Sequence, residues 1–194
     1  MIRNLNIFRV FSSAVLLAAF CFVGVNAQSA GHENSLAGTG RVLLIRHALA
    51  PGFGDPAEFK LGDCSTQRNL NETGRKQAVA MGEWLRSKGI DEAEIYSSEW
   101  CRCIETAELM KLGHVHEMPA LNSFFQQRSK KKERMAALRE FLAKQPLNEK
   151  LLIMVTHQVT ITALTGIVPA SGEGVVLILD GEGQFTVGPE VDFR

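Results

Sequence analysis

Two unbroken apolar runs, Val42-Leu43-Leu44-Ile45 and Leu151-Leu152-Ile153-Met154-Val155, constrain this chain more than any other feature. Each is too short for a helix and lacks the alternation of a half-exposed strand. Such runs read as strands buried on both faces, which implies a sheet covered by helices on either side. The segments between them supply those helices. Asn71 caps one that runs to about Lys88, with Ala78, Met81 and Leu85 on one face and Gly89 as its stop. Ile95-Tyr96 is a short strand, after which Ser97-Ser98 opens a helix from about Glu99 to Lys111, closed by Gly113. Residues 115–121 form a weak strand, and residues 129–144 a charged helix with Met135, Leu138 and Leu142 as its apolar stripe. Residues 175–179, the Asp180-Gly181 turn and residues 185–187 close the chain as a hairpin. Strands alternating with helices predict a three-layer α/β/α sandwich around a mostly parallel sheet.

The apolar runs end in Arg46-His47 and Thr156-His157. Ligands of open α/β sheets bind at the carboxyl ends of the strands, so two histidines and an arginine are predicted to meet at one edge. A neutral imidazole attacks phosphorus with one nitrogen while a hydrogen bond to the other fixes its tautomer. Arg46 adds a forked cationic donor suited to phosphate. Arg102 falls in the first turn of the helix after Ser98, where unpaired backbone N–H groups also favour an anion. His157 opens a further helix and contributes another donor. The constellation suits phosphoryl transfer and calls for no metal or other cofactor. His114 and His116 share a strand face but have no third ligand in the sequence, so they read as solvated residues.

At 194 residues the chain is long enough for one domain with its own core. Lys+Arg and Asp+Glu are both 21, which gives no electrostatic reason to expect nucleic acid as a partner. Residues 1–27 differ in kind from the rest. Arg3 and Arg9 precede an uncharged run from Ala14 to Val25 that ends in Val25-Asn26-Ala27, the layout of a cleaved signal peptide. The run is shorter than the roughly 20 residues of a membrane span. Phe20 before Cys21 does not suit a lipidation site. Residues 28–40 read as a flexible leader and residues 41–194 as the domain, exported to the periplasm or beyond and not inserted in a membrane after cleavage. Outside the reducing cytoplasm, Cys64, Cys101 and Cys103 permit one disulfide. Cys101 and Cys103 diverge on a helix, leaving Cys64 to pair with either; the Cys64–Cys101 choice ties the long loop of residues 48–70 to the helix of Arg102.

Four blocks in the chain resemble those of the histidine phosphatase superfamily, in order. Leu44-Ile45-Arg46-His47 resembles the opening signature. Leu70-Asn71-Glu72-Thr73-Gly74-Arg75-Lys76-Gln77-Ala78 is similar to the "Leu-x-x-x-Gly-x-x-Gln-Ala" helix. Residues 97–107 are similar to "Ser-Ser-x-x-x-Arg-x-x-x-Thr-Ala", and Val155-Thr156-His157 to "Val-Ser/Thr-His". The resemblance implies the phosphoglycerate mutase-like fold. It also implies His47 as the phosphorylated nucleophile, with Arg46, Arg102 and His157 as its phosphate pocket. The loop segment around Cys64-Ser65-Thr66-Gln67-Arg68 is similar to one in small exported members, where Arg68 is a further phosphate ligand; its plainer role is to tie the loop to the domain.

The departures concern the nucleophile's neighbour and the proton donor. Ala48 stands where Gly usually follows the nucleophile, and Phe53 where mutases carry Asn. Neither the mutase-type Glu nor the acid-phosphatase Asp is present: Asn122, Ser123 and Gln158 occupy those places, leaving Asp55 and Asp63 as the loop's candidates. The expectation is a metal-independent phosphomonoesterase. The absence of a capping insertion suits a bulky substrate such as a phosphorylated sugar or an envelope glycolipid. The alternative is a non-catalytic module of the same fold that binds phosphorylated ligands.

Overall fold

β1 (Arg41–Arg46) is the central strand, with Val42, Leu43, Leu44 and Ile45 all essentially inaccessible to water. Its pleat sends Leu43 and Ile45 into one core and Val42 and Leu44 into the other. The first core is completed by Ala78, Met81 and Leu85 of α1 (Glu72–Ser87) and by Cys103, Ala107 and Met110 of α2 (Cys101–Met110). The second takes Met135, Leu138 and Leu142 from α3 (Lys131–Ala143) and Ile161 and Leu164 from α4 (Gln158–Thr165). Full burial of each such side chain contributes about 1.5–3 kcal/mol, so the two faces of one short apolar run specify all three layers. This computed structural model describes residues 36–194; the signal-peptide reading of residues 1–27, the mature start and most of the leader fall outside them.

The sheet has six strands in the order β3-β2-β4-β1-β5-β6. β2 (Glu94–Ser97), β3 (Val115–Glu117), β4 (Leu152–Thr156) and β1 are mutually parallel. β5 (Gly174–Leu179) and β6 (Phe185–Val191) form the expected hairpin, with β5 antiparallel to β1 along its far side and β6 at the edge. Its turn is set by Asp180, whose carboxylate accepts the backbone N–H groups of Glu182 and Gln184.

Several boundaries depart from expectation for local reasons. α2 begins at Cys101, not Glu99, because the Ser98 backbone N–H is still spent on Val155 of β4. The same helix ends on Lys111, in the left-handed region at φ 55°, ahead of Gly113. Gly113 serves packing instead: a Cβ there would sit 2.7 Å from the Ala93 carbonyl. The segment after β3 bends at Pro119 into a single 3-10 turn, and α3 starts at Lys131 after another. Residues 36–40 join the folded unit ahead of the boundary at residue 41. Leu36 is buried in the first core, and Gly40 bonds to the backbone of Asn148 and Leu179.

Candidate active site

β1 and β4 pair in register, Arg46 opposite Thr156, so His47 and His157 leave the sheet side by side. The His47 backbone N–H still bonds to the Thr156 carbonyl at 3.0 Å, and the two rings meet edge-on with centroids 5.5 Å apart. A cavity opens over this edge and is lined by Arg46, His47, Arg68, Arg102 and His157, all five residues that the sequence singles out. Asp55 lines it too, and Phe53 and Phe125 form part of its rim.

The His47 imidazole has Nε2 as its unprotonated nitrogen. Its Nδ1 lies 2.7 Å from the Ala48 carbonyl, an acceptor only, so Nδ1 carries the proton and Nε2 keeps a lone pair. Arg102 Nε–H points at that lone pair from 3.2 Å. Burial, and then the Arg102 charge, hold the His47 pKa down to about 3, so the ring is neutral at physiological pH. His157 is likewise neutral, its pKa lowered well below the ordinary value by burial and by Arg102. Its Nδ1 accepts from Arg102 Nη2 at 3.4 Å and its Nε2 donates to Ser98 Oγ at 2.9 Å. Ser98 passes the order on to Asn122 Oδ1 at 3.1 Å, and Asn122 Nδ2 donates to the Glu99 carboxylate at 2.5 Å.

Arg102 links every part of the site. Besides its bonds to both histidines, Nη1 donates to Asp55 Oδ1 at 2.7 Å and to the Arg68 carbonyl at 3.2 Å, and Nη2 to Asp55 Oδ2 at 3.2 Å. Five N–H groups thus meet five acceptors, and the Arg102 and Asp55 side chains are only 3% and 5% exposed. Arg46 Nη1 donates to the Pro169 carbonyl at 2.9 Å, while its buried Nε has no protein partner. Arg68 fulfils the tying role: Nε donates to the Gly54 carbonyl at 2.8 Å and Nη1 to the Ala50 carbonyl. It also lines the cavity, so its side chain adds to the positive field there. Three guanidinium groups face a space that contains one carboxylate, and an anion is the complement they lack.

The two candidate acids separate. Asp63 is exposed and caps the 3-10 turn Cys64–Thr66 by accepting from Ser65 N–H and Oγ, away from the cavity. Asp55 is in the site but ion-paired. Burial alone would raise its pKa; hydrogen bonds from Arg102, Trp100 and the Arg68 backbone, with the Arg102 charge, outweigh that and hold it below the usual carboxylate value. Asn122 is spent on Ser98 and Glu99, and Ser123 reaches the cavity without an acidic proton. Among the described residues no group of three or more His, Cys, Asp or Glu could hold a metal, and His114 and His116 face each other with ring centroids 4.7 Å apart.

The remaining motif residues hold the backbone around His47. The Ala48 N–H donates to Thr106 Oγ1 at 3.1 Å, and that hydroxyl donates to the Arg102 carbonyl at 2.6 Å, which couples α2 to the turn after β1. Gln77 accepts the Leu49 N–H at 2.9 Å and donates to the Ser171 carbonyl at 2.7 Å. Gly74 lets the same turn cross α1, since a Cβ there would lie 2.1 Å from the Leu49 carbonyl oxygen. A Cys64–Cys101 disulfide joins the loop to the first residue of α2, one position before Arg102, and Cys103 remains a buried thiol whose pKa burial pushes up to about 12.

Residues 42–125, which carry three of the four blocks, match the family model described as histidine phosphatase superfamily (branch 1). Over that span the chain is similar to the histidine phosphatase superfamily. Solved structures carry the likeness of fold through most of the domain. The protein histidine phosphatase SixA complexed with tungstate is 16% identical with a TM-score of 0.59, covering 79% of this chain and 97% of its own. Phosphoglycerate mutase from Plasmodium falciparum is 18% identical with a TM-score of 0.52, over 78% and 90%. The mycobacterial glucosyl-3-phosphoglycerate phosphatase complexed with VO3 is 16% identical with a TM-score of 0.53, over 76% and 96%. No curated protein sequence matches the chain. The likeness of fold therefore extends past residue 125.

The buried neutral histidines predict acid sensitivity. An unfolded histidine takes up a proton near pH 6.5, whereas folded His47 resists until about pH 3, so the unfolded state binds more protons between those values. Stability falls as pH drops through this window, by about 2 kcal/mol for His47 at about pH 5, and His157 adds a loss in the same direction. Asp55, with its pKa lowered, adds a loss in the same direction at lower pH. Urea midpoints measured from neutrality downward are expected to fall, and less steeply in His47→Gln. A flat midpoint over that range would contradict neutral burial.

Proposed function

We propose that the protein is an exported phosphatase that hydrolyses phosphomonoesters through a phosphohistidine on His47. One observation carries the reading: a neutral imidazole, its Nδ1 proton held by the Ala48 carbonyl, keeps its Nε2 lone pair on Arg102 beside a cavity lined by Arg46, Arg68 and Arg102. The three cations offset the charge of the phosphoryl oxygens, and His157 stands beside them as a further polar partner. Nε2 forms the bond to phosphorus as the ester P–O bond breaks. Water then attacks the phosphohistidine, the N–P electron pair returns to Nε2, and inorganic phosphate leaves. The leaving oxygen gains a proton and the attacking water loses one, so the cycle nets to alcohol and inorganic phosphate. The sequence of residues 1–27 and the disulfide support export. No helix among the described residues is long and apolar enough to cross a membrane. Phosphorylated sugars, free or on an envelope glycolipid, suit the rim, where Phe53 is 87% exposed and packs edge-on against Phe125 at 4.9 Å.

Brief incubation with a labelled sugar phosphate is expected to leave an acid-labile, base-stable label on the peptide containing His47. His47→Ala should lose the label and the turnover together. A His47→Ala protein with wild-type turnover would refute the mechanism. Binding without labelling would favour the non-catalytic module.

A further inference from the structure

The cavity is open, but its central guanidinium is already engaged. All five N–H groups of Arg102 are occupied, and its Nε–H covers the lone pair with which His47 would attack. An incoming phosphate must displace one of those acceptors. Three of them are neutral groups, the two histidine rings and the Arg68 carbonyl on a chain tied down by its neighbours; the other two are the oxygens of the Asp55 carboxylate, which lies on the fork edge that a phosphate prefers. Exchange of carboxylate for phosphate replaces an anion with an anion. Asp55 is also the one carboxylate among the residues lining the cavity, where a phosphatase lacks an identified proton donor.

We propose, building on the phosphatase reading, that phosphate displaces Asp55 from Arg102 and that the freed carboxyl group then serves as acid and base at His47. The displaced side chain stays at the rim, because its backbone is fastened across the cavity: the Asp55 N–H donates to Gln126 Oε1 at 3.1 Å and its carbonyl accepts from Gln126 Nε2 at 3.2 Å. The groups facing it are Arg102, Trp100 and Cys103 from α2 and its approach, Arg68 from its own loop, and Arg46, His47 and His157 from the strand ends. Once phosphate occupies Arg102, Asp55 has lost its nearest cation and gained a neighbouring dianion. Both changes favour the protonated form, so the carboxyl takes a proton from solvent. As Nε2 bonds to phosphorus and the P–O bond breaks, the carboxyl O–H passes that proton to the leaving oxygen. In the second half, the carboxylate accepts a proton from the attacking water while the N–P pair returns to His47. Departure of phosphate lets Asp55 release the proton and re-pair with Arg102.

The distinguishing readout is a proton. Tungstate, a dianion that carries no proton at neutral pH, is titrated calorimetrically in two buffers of different ionisation heat. Wild-type protein is expected to take up about one proton more than Asp55→Asn. No uptake by the wild type overturns the proposal without reference to any variant. Equal uptake by both proteins assigns the proton to His47 or His157 and overturns it as well. Turnover supplies a second arm. General acids contribute about 10²–10⁴-fold, so Asp55→Asn should slow a sugar phosphate by at least a hundredfold and p-nitrophenyl phosphate, whose leaving group departs unprotonated, by less than tenfold. Equal losses on both substrates would leave Asp55 as a positioning residue for Arg102 and overturn its role as acid. The phosphatase reading fails separately, by absence of phosphohistidine in the wild type, which the tungstate arm does not touch.

Discussion

Arg102→Lys is expected to lower turnover by about a thousandfold while leaving the fold intact. A single preorganised donor to a developing charge is worth about 10²–10³, and an arginine on a transferring phosphoryl group 10³–10⁵. Under the proposed mechanism Arg102 is both, and its guanidinium touches His47, His157 and Asp55 at once. Lysine keeps the charge but loses the fork, so it cannot hold two phosphate oxygens or span the two histidines. Arg102→Ala adds a folding defect. It leaves the Asp55 carboxylate, 5% exposed, without its cation, and breaking such a buried pair costs about 3–5 kcal/mol. Removing Asp55 as well should recover most of that stability and none of the turnover. Denaturant midpoints for the two single variants and the double variant check the coupling. An Arg102→Ala protein as stable as the wild type would show that the pair contributes nothing to folding.

The sequence made the site's skeleton legible because that skeleton follows from local pattern. Residues 42–45 and 151–155 can only be buried strands, and strands paired in register deliver whatever follows them to one place. Arg46, His47 and His157 were therefore readable from position alone, and Arg102 from its place just inside a helix. The functional partners that pattern reading missed are bonded across long stretches of chain. Asp55 meets Arg102 from 47 residues away, and nothing around Asp55 in the loop signals the pairing. Ser98 looked like a helix opener, yet its hydroxyl is mainly an acceptor for His157, and Asn122 marked only a missing acid before the structure put it against Ser98 and Glu99. Thr106 and Gln77 did carry a signal, as fixed members of two sequence blocks; what they hold, the backbone on either side of Ala48, emerges only in three dimensions. The antiparallel neighbour of β1 was also hidden, since a hairpin in sequence does not say which sheet edge it joins.

Removal of the Cys64–Cys101 bridge is expected to lower the melting temperature by about 10 °C. The bridge spans 37 residues, for which the chain-entropy model gives about 3–4 kcal/mol, and a domain of this size loses roughly 2–4 °C per kcal/mol. Its position adds a functional consequence. Cys101 is the first residue of α2 and Arg102 the second, while Gln67, three residues past Cys64, accepts the Cys101 N–H at 3.0 Å. Covalent and hydrogen-bonded links thus fix the loop to the helix turn from which Arg102 projects, and the same loop carries Arg68 and Asp55. Loosening it spreads Arg102 over more positions before substrate arrives, so both substrate affinity and turnover should suffer. The Cys64→Ala/Cys101→Ala variant is the cleaner test than reduction, because it cannot reoxidise. Cys103 serves as the internal control: fully buried, with its thiol held protonated, it should resist alkylation in the native protein and react only on unfolding. Alkylation of Cys64 and Cys101 in the unfolded, unreduced protein would mean that the bridge does not form, and an unchanged Michaelis constant in the double variant would mean that it does not order the site.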